Sequence, residues 1–291
     1  MGLNLDSMKS SHPVEVPVKR VFEISEIFDR ISYSKGVSII RMLENYVGSE
    51  AFQLGLRAYL KRHSYANTVT EDLWMALHEA SGKPVADVMN TWTKKMGYPV
   101  LFVSQEQRKS HVCQLLFSQR RFLSSGLEED ESLWSIPVQV QTESELHSFL
   151  MKSRNTTFSL SARCDQIKWI KVNPHSYGFY RVKYEQSMLK KLYSPVLSKS
   201  LPPIDRLSLQ QDLFALSKAG LSPLVEVFSL LEAYKYETDF KVFSDLTNNL
   251  NDLFLFVSNL PQPHTLSHYS YWIRRIYRPL FNNVRKFSKV E

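Results

Sequence analysis

The sequence predicts an α+β, multidomain chain: a helical lobe, then a β-sandwich or barrel, then the start of an α-helical solenoid. Three observations predict it. Apolar residues recur every three or four positions from about residue 22 to residue 96. Between Tyr98 and Tyr184 the period shortens toward two. Helical spacing returns after Glu185. Boundaries are expected at 1–97, 98–187 and 188–260, leaving an aromatic, basic tail over 261–291.

In the first segment, Phe22, Ile24, Ile27, Phe28 and Ile31 give a partly helical pattern ending near Tyr33. A second helix is expected after Gly36, with Val37, Ile40, Leu43, Tyr46 and Val47 on its apolar face and Gly48 as its stop. Ser49 is placed to cap the next, which carries Phe52, Leu56, Tyr59 and Leu60. Thr70 starts another, with Glu71 and Asp72 in the first turn, where the helix dipole favours acids. It buries Leu73, Trp74 and Leu77 and stops at Gly82. Pro84 opens the last helix of the lobe, lined by Val85, Val88, Met89, Trp92 and Met96 and ended by Gly97.

Six strands are expected next, at Tyr98–Ser104, Val112–Ser118, Leu133–Gln141, Thr156–Ala162, Ile167–Asn173 and Gly178–Tyr184. They are short and rich in Val, Ile, Phe, Trp and Tyr, and polar loops part them. Beyond Leu201-Pro202-Pro203, one helix carries Ile204, Leu207, Leu213 and Leu216. A second opens at Pro223, and a third runs through Phe240–Val257. The tail from Pro261 shows no clear period and reads as irregular.

Composition narrows the function classes. Of 291 residues, 43% are hydrophobic and 22% charged, which excludes a collagen, a coiled coil or a wholly disordered chain. No apolar run is long enough to span a bilayer, and the N-terminus does not resemble a secretory signal. The net charge is +7, yet residues 261–291 alone hold six basic side chains against one acidic. The body is therefore near neutral, and a nucleic-acid partner is not expected. The tail's interleaved Arg, Lys, Trp, Tyr and Phe leave open a contact with nucleic acid or an anionic membrane. Cys113 and Cys164 are too few for a disulfide scaffold and read as small buried residues, with the cytoplasm as the expected location. The sequon at Asn155 reads as chance.

A metal site is sought first. His78-Glu79 begins an HExxH pattern, but the second histidine's position holds Gly82. His264 and His268 have the i,i+4 spacing but no Glu after the first. No metal ligand is expected. Walker, GxGxxG and GxSxG motifs do not occur.

The stretch Ile31-Ser32-Tyr33-Ser34-Lys35-Gly36, followed by Val37–Leu43, resembles the tyrosine-bearing segment of zinc aminopeptidases of the gluzincin group, most similar to the puromycin-sensitive branch. Ser11–Val16 resembles the family's SHPIEV segment. Thr70–Trp74 and Met89–Pro99 resemble the end of its catalytic domain. Tyr177–Arg181 and Leu201–Leu207 resemble its last sandwich strand and the beginning of its C-terminal helical domain. The likeness runs in unbroken order over about residues 4–250, and the tail over 261–291 is expected to be unlike the family.

The resemblance implies that residues 1–97 are the C-terminal helical lobe of a thermolysin-like catalytic domain. It implies a family reaction in which zinc, held by an HExxH helix and a further Glu, delivers water to a peptide carbonyl. A tyrosine hydroxyl stabilises the oxyanion, and a Gly-Ala-Met-Glu-Asn loop holds the free amino group of the peptide. Tyr33 matches that catalytic tyrosine, and Phe28 matches an aromatic near the substrate. Gly36 is expected to permit a tight approach and Lys35 to pair locally. The zinc ligands and the amine-binding loop lie upstream in the family and have no counterpart in this sequence. Zinc is thus implied for the complete family member and not for this chain, which is expected to be inactive alone. Faces bearing Tyr33, Phe28, Ile39 and Ile40 are expected to be exposed, inviting a protein partner. The alternative is a non-catalytic relative that binds peptides or a partner.

Overall fold

The computed structural model describes residues 2–18, 20–21, 23, 29–107, 112–261 and 263–287. A short helix α1 (Gly2–Leu5) precedes four longer ones: α2 (Arg30–Val47), α3 (Ser49–Arg62), α4 (Thr70–Ser81) and α5 (Val85–Thr93). The expected break at Gly36 does not occur. Helix α2 runs continuously from Arg30, because Asp29 caps it and Lys35, in its second turn, is anchored in the core. Nor is Gly36 a point of close approach: a Cβ there would meet nothing within 4 Å. Ser49 and Thr70 are first residues of their helices rather than caps. The Asp72 carboxylate accepts the Val69 N–H at 3.0 Å, and Gly82, with a left-handed φ of 67°, ends α4.

Seven strands follow. A four-stranded sheet has the order β5-β2-β1-β7, from β1 (Pro99–Gln107), β2 (Cys113–Arg121), β5 (Asn155–Leu160) and β7 (Arg181–Tyr184). A three-stranded sheet has the order β4-β3-β6, from β3 (Ile136–Thr142), β4 (Leu146–Met151) and β6 (Ile170–Val172). All pairings are antiparallel except β1 with β7. The sheets meet through aromatic rings, with Phe117 of β2 edge-on to Phe149 of β4 at 5.3 Å. Strand β4 was absent from the sequence expectation. Its apolar residues, Leu146, Phe149, Leu150 and Met151, do not alternate with polar ones, and only Met151 is fully buried, so it lacks the period of its neighbours.

Cys113 and Cys164 are not separate thiols. They form a disulfide across 51 residues of sequence. The register explains it: Cys113 pairs with Leu160 at the end of β5, and its N–H donates to the Ala162 carbonyl at 2.9 Å. That brings the turn holding Cys164 to a Cα distance of 4.7 Å.

Short helices α6 (Gln186–Lys191) and α7 (Tyr193–Leu197) lead to α8 (Pro203–Lys218), α9 (Leu224–Leu231), α10 (Phe240–Ser258) and α11 (Pro263–Phe287). Helix α11 replaces the irregular tail. Its Tyr269 and Ile276 are buried, with Trp272 half-buried between them, a helical spacing masked in the sequence by intervening Arg and His. The Tyr269 hydroxyl donates to the Leu250 carbonyl at 2.6 Å, and Trp272 packs on Phe228 at 4.2 Å. Arg275 pairs with Glu232 at 3.4 Å. Among the described residues no helix is long and apolar enough to cross a membrane.

Buried side chains from Ile39 to Ile276 form one continuous apolar cluster. Trp92 of α5 donates its indole N–H to the Ser135 carbonyl at 2.9 Å, joining the first helices to the sheets. Arg181 of β7 joins the sheets to α8 through Asp212 at 3.1 Å.

Candidate functional site

Tyr33 lies one turn inside α2, its backbone N–H donating to the Asp29 carbonyl at 3.2 Å. Its side chain is 59% exposed. Val37 and Arg41 follow at intervals of four and are also exposed, so the three share one open face of the helix. Phe28, the other residue singled out in the sequence, lies outside the described residues, as do Phe22, Ile24 and Ile27. Ile39 does not belong to the open face: it is 1% exposed and packs in the core, while Ile40 is half-buried. The helical period turns Ile39 away from Tyr33, whereas Ile40, seven residues on, lies on the same side of the helix as Tyr33 and packs partly against the core.

Three contacts fix α2. At its start the Asp29 carboxylate accepts the Ser32 N–H at 2.8 Å. In the second turn Lys35, fully buried, pairs with Asp6 at 3.0 Å and donates to the carbonyls of Lys95 and Gly97, both at 2.9 Å. Its partners are thus distant in sequence, not local as expected. Burial pulls the Lys35 pKa down, against the opposing pull of Asp6. Further on, Arg41 lies over the Tyr177 ring at 4.6 Å. It donates to the carbonyls of His175 and Ser176, both at 3.1 Å.

Those contacts reach the connection between β6 and β7, where Asn173, His175 and Ser176 all hold positive φ without being glycine. The conformation is retained because Asn173 bonds Gly178 through both amide atoms and Asp205 of α8 accepts the His175 N–H at 2.6 Å.

The site residues that sequence reasoning missed are Asp6, His12 and Asp29. His12 Nε2 stands 2.5 Å from Asp29, and Ser11 donates to Asp6. Asp29-x-x-Ser32 has the spacing of a helix cap and was legible. Asp6 to Lys35 spans 29 positions with no local pattern.

The described histidines do not gather at one place. His78 contacts the Lys83 carbonyl at 2.6 Å, and His264 and His268 are exposed on α11. Among the described residues no three His, Cys, Asp or Glu stand together to hold a metal ion.

Helix α2 thus presents Tyr33, exposed and braced, within the ISYSKG segment. The Peptidase family M1 domain matches residues 1–92, and the ERAP1-like C-terminal domain matches residues 169–291, taking in α11. Aminopeptidase M1 of Arabidopsis thaliana is 43% identical over 259 residues, covering 84% of this chain and 29% of that protein. The puromycin-sensitive aminopeptidase of Caenorhabditis elegans is 37% identical over 257 residues, covering 87% of this chain and 27% of its own length. The alanine/arginine aminopeptidase of Saccharomyces cerevisiae is also 37% identical, over 87% of this chain and 29% of its own. The chain belongs to the M1 family of aminopeptidases. It spans a little over a quarter of the length of these relatives.

Proposed function

We propose that this chain carries the tyrosine-bearing part of an M1 aminopeptidase that removes N-terminal residues from peptides. Residues 1–97 are then the last lobe of the thermolysin-like catalytic domain and residues 98–187 its β-sandwich domain. Residues 188–260 begin the helical solenoid, and the packing of α11 supports extending that solenoid to residue 287. The observation that carries the reading is Tyr33 itself, exposed on a helix fixed at Asp29, Lys35 and Arg41. Its role is to donate a hydrogen bond to the oxyanion formed at the peptide carbonyl. The family is one of zinc metallopeptidases. The described residues do not assemble a cluster that would hold zinc.

On magnitudes, the chain is inactive alone. One oxyanion donor is worth about 2.7–4 kcal/mol, against roughly 8–23 kcal/mol for a working enzyme. Incubating the purified chain with aminoacyl-coumarin amides, with and without added zinc, tests this. No release above buffer is expected; zinc-dependent release abolished by a chelator would contradict it.

The open Tyr33–Val37–Arg41 face favours one further reading, a non-catalytic chain that binds peptides with free N-termini or a protein partner. Calorimetric titration with such peptides tests it, and no heat of binding at high peptide concentration would end the peptide version. We also propose a cytoplasmic location by analogy with the family resemblance, a reading against which the Cys113–Cys164 bond weighs, since such bonds persist in oxidising compartments. Alkylation and mass measurement of the pair from cells decides: alkylated thiols support the cytoplasm, and an intact bond excludes it.

A further inference from the structure

Two adjacent residues, Ser11 and His12, each grip a different aspartate behind Tyr33. Ser11 donates to Asp6, which also accepts the Gly97 N–H at 2.9 Å and pairs with Lys35. His12 Nε2 lies 2.5 Å from Asp29 Oδ2, while Asp29 Oδ1 caps α2. The other ring nitrogen, Nδ1, lies 2.8 Å from the Pro13 carbonyl oxygen. Both nitrogens of His12 therefore face acceptors. A neutral imidazole has one N–H and would set a lone pair against one of those oxygens; the imidazolium satisfies both.

We propose that His12 is a positioning residue, held as an imidazolium, that locks Asp29 onto the first turn of α2 and thereby sets the placement of Tyr33. The inference rests on reading Tyr33 as the functional residue. The charged groups acting on His12 are acidic: Asp29 at the start of α2 and Asp6 just beyond α1. Partial burial pulls the His12 pKa down, but the Pro13 carbonyl, Asp29 and Asp6 outweigh it, and the net position is above the ordinary 6.5. For Asp29, burial raises the pKa, but the Ser32 N–H and His12 outweigh it, and the net position is below the ordinary 3.8. The signs define a window. His12's contribution is complete below 6.5 and fades as pH rises through its raised pKa. Asp29's is complete above 3.8 and fades as pH falls through its lowered pKa.

The test is a pH titration of the intact chain by NMR, with 15N-tyrosine labelling. The Tyr33 amide is assigned by Tyr33→Phe and the His12 ring by His12→Gln. The His12 midpoint should lie above 6.5, and the Tyr33 amide shift should follow the same midpoint. Asp29→Asn keeps a capping oxygen but removes the anion. It should lower the His12 midpoint by about one unit and carry the Tyr33 transition with it. If His12→Gln does not fold, Asp29→Asn carries the comparison alone. A Tyr33 amide that stays flat through the His12 titration, or a midpoint indifferent to Asp29→Asn, would overturn the proposal. Failure of the reading of Tyr33 itself would show elsewhere. Replacing the matching tyrosine by Phe in a full-length relative would then leave its kcat unchanged.

Discussion

Lys35 is the residue on which the placement of α2 depends most. It is fully buried, and its charge is answered by one carboxylate and two carbonyls. Such a site is costly to break from one side. Lys35→Met keeps the volume and the helix propensity but strands Asp6 as an unpaired buried anion. The expected loss of stability is about 3–5 kcal/mol, read as a lower urea midpoint. A shift smaller than about 0.5 kcal/mol, the range of an ordinary surface change, would mean that the pair does not anchor the helix. The role proposed for Tyr33 rests on the residues around it, the ISYSKG run. Its bracing was not legible in the sequence, because Asp6 and His12 reach it from outside any local period.

At the scale of elements, the helices that bury a clean apolar stripe were legible; α4 follows it closely, while α5 ends at Thr93, short of the expected Gly97, and leaves Met96 exposed beyond it. Three features were not legible. Helix α2 has Gly36 in its interior, and a glycine inside an apolar pattern reads as a break; long-range anchoring at Lys35 overrides that weak local signal. Strand β4 lies half-exposed, and its apolar residues do not alternate with polar ones. Helix α11 packs through aromatic rings set among Arg and His, so its composition resembled a solvated tail. The disulfide likewise follows from the β2–β5 register, which spacing alone does not reveal. The packing of α3 on α4 allows a sharp test. A Cβ at Gly55 would come within 2.8 Å of the Leu77 Cδ2 and 3.0 Å of its Cα. Gly→Ala inside a helix ordinarily gains about 1 kcal/mol. Here overpacking of about 1–3 kcal/mol opposes it. Gly55→Ala should therefore lower the thermal midpoint, and a raised midpoint would mean that α3 and α4 are not this close.

At the scale of the whole molecule, one apolar cluster links helices, sheets and helical array. The tyrosine-bearing helix is thus tied to the connection after β6 through Arg41, and that connection to α8 through Asp205. A rigid frame therefore holds Tyr33 in place but brings no metal-holding group beside it among the described residues. The central proposal is that this chain carries the tyrosine of an M1 aminopeptidase and that its described residues hold no metal centre. Elemental analysis of the purified chain after exhaustive dialysis tests it most directly. The account predicts zinc well below one equivalent per chain. Stoichiometric zinc, retained through dialysis, would contradict it and reopen hydrolysis by this chain itself.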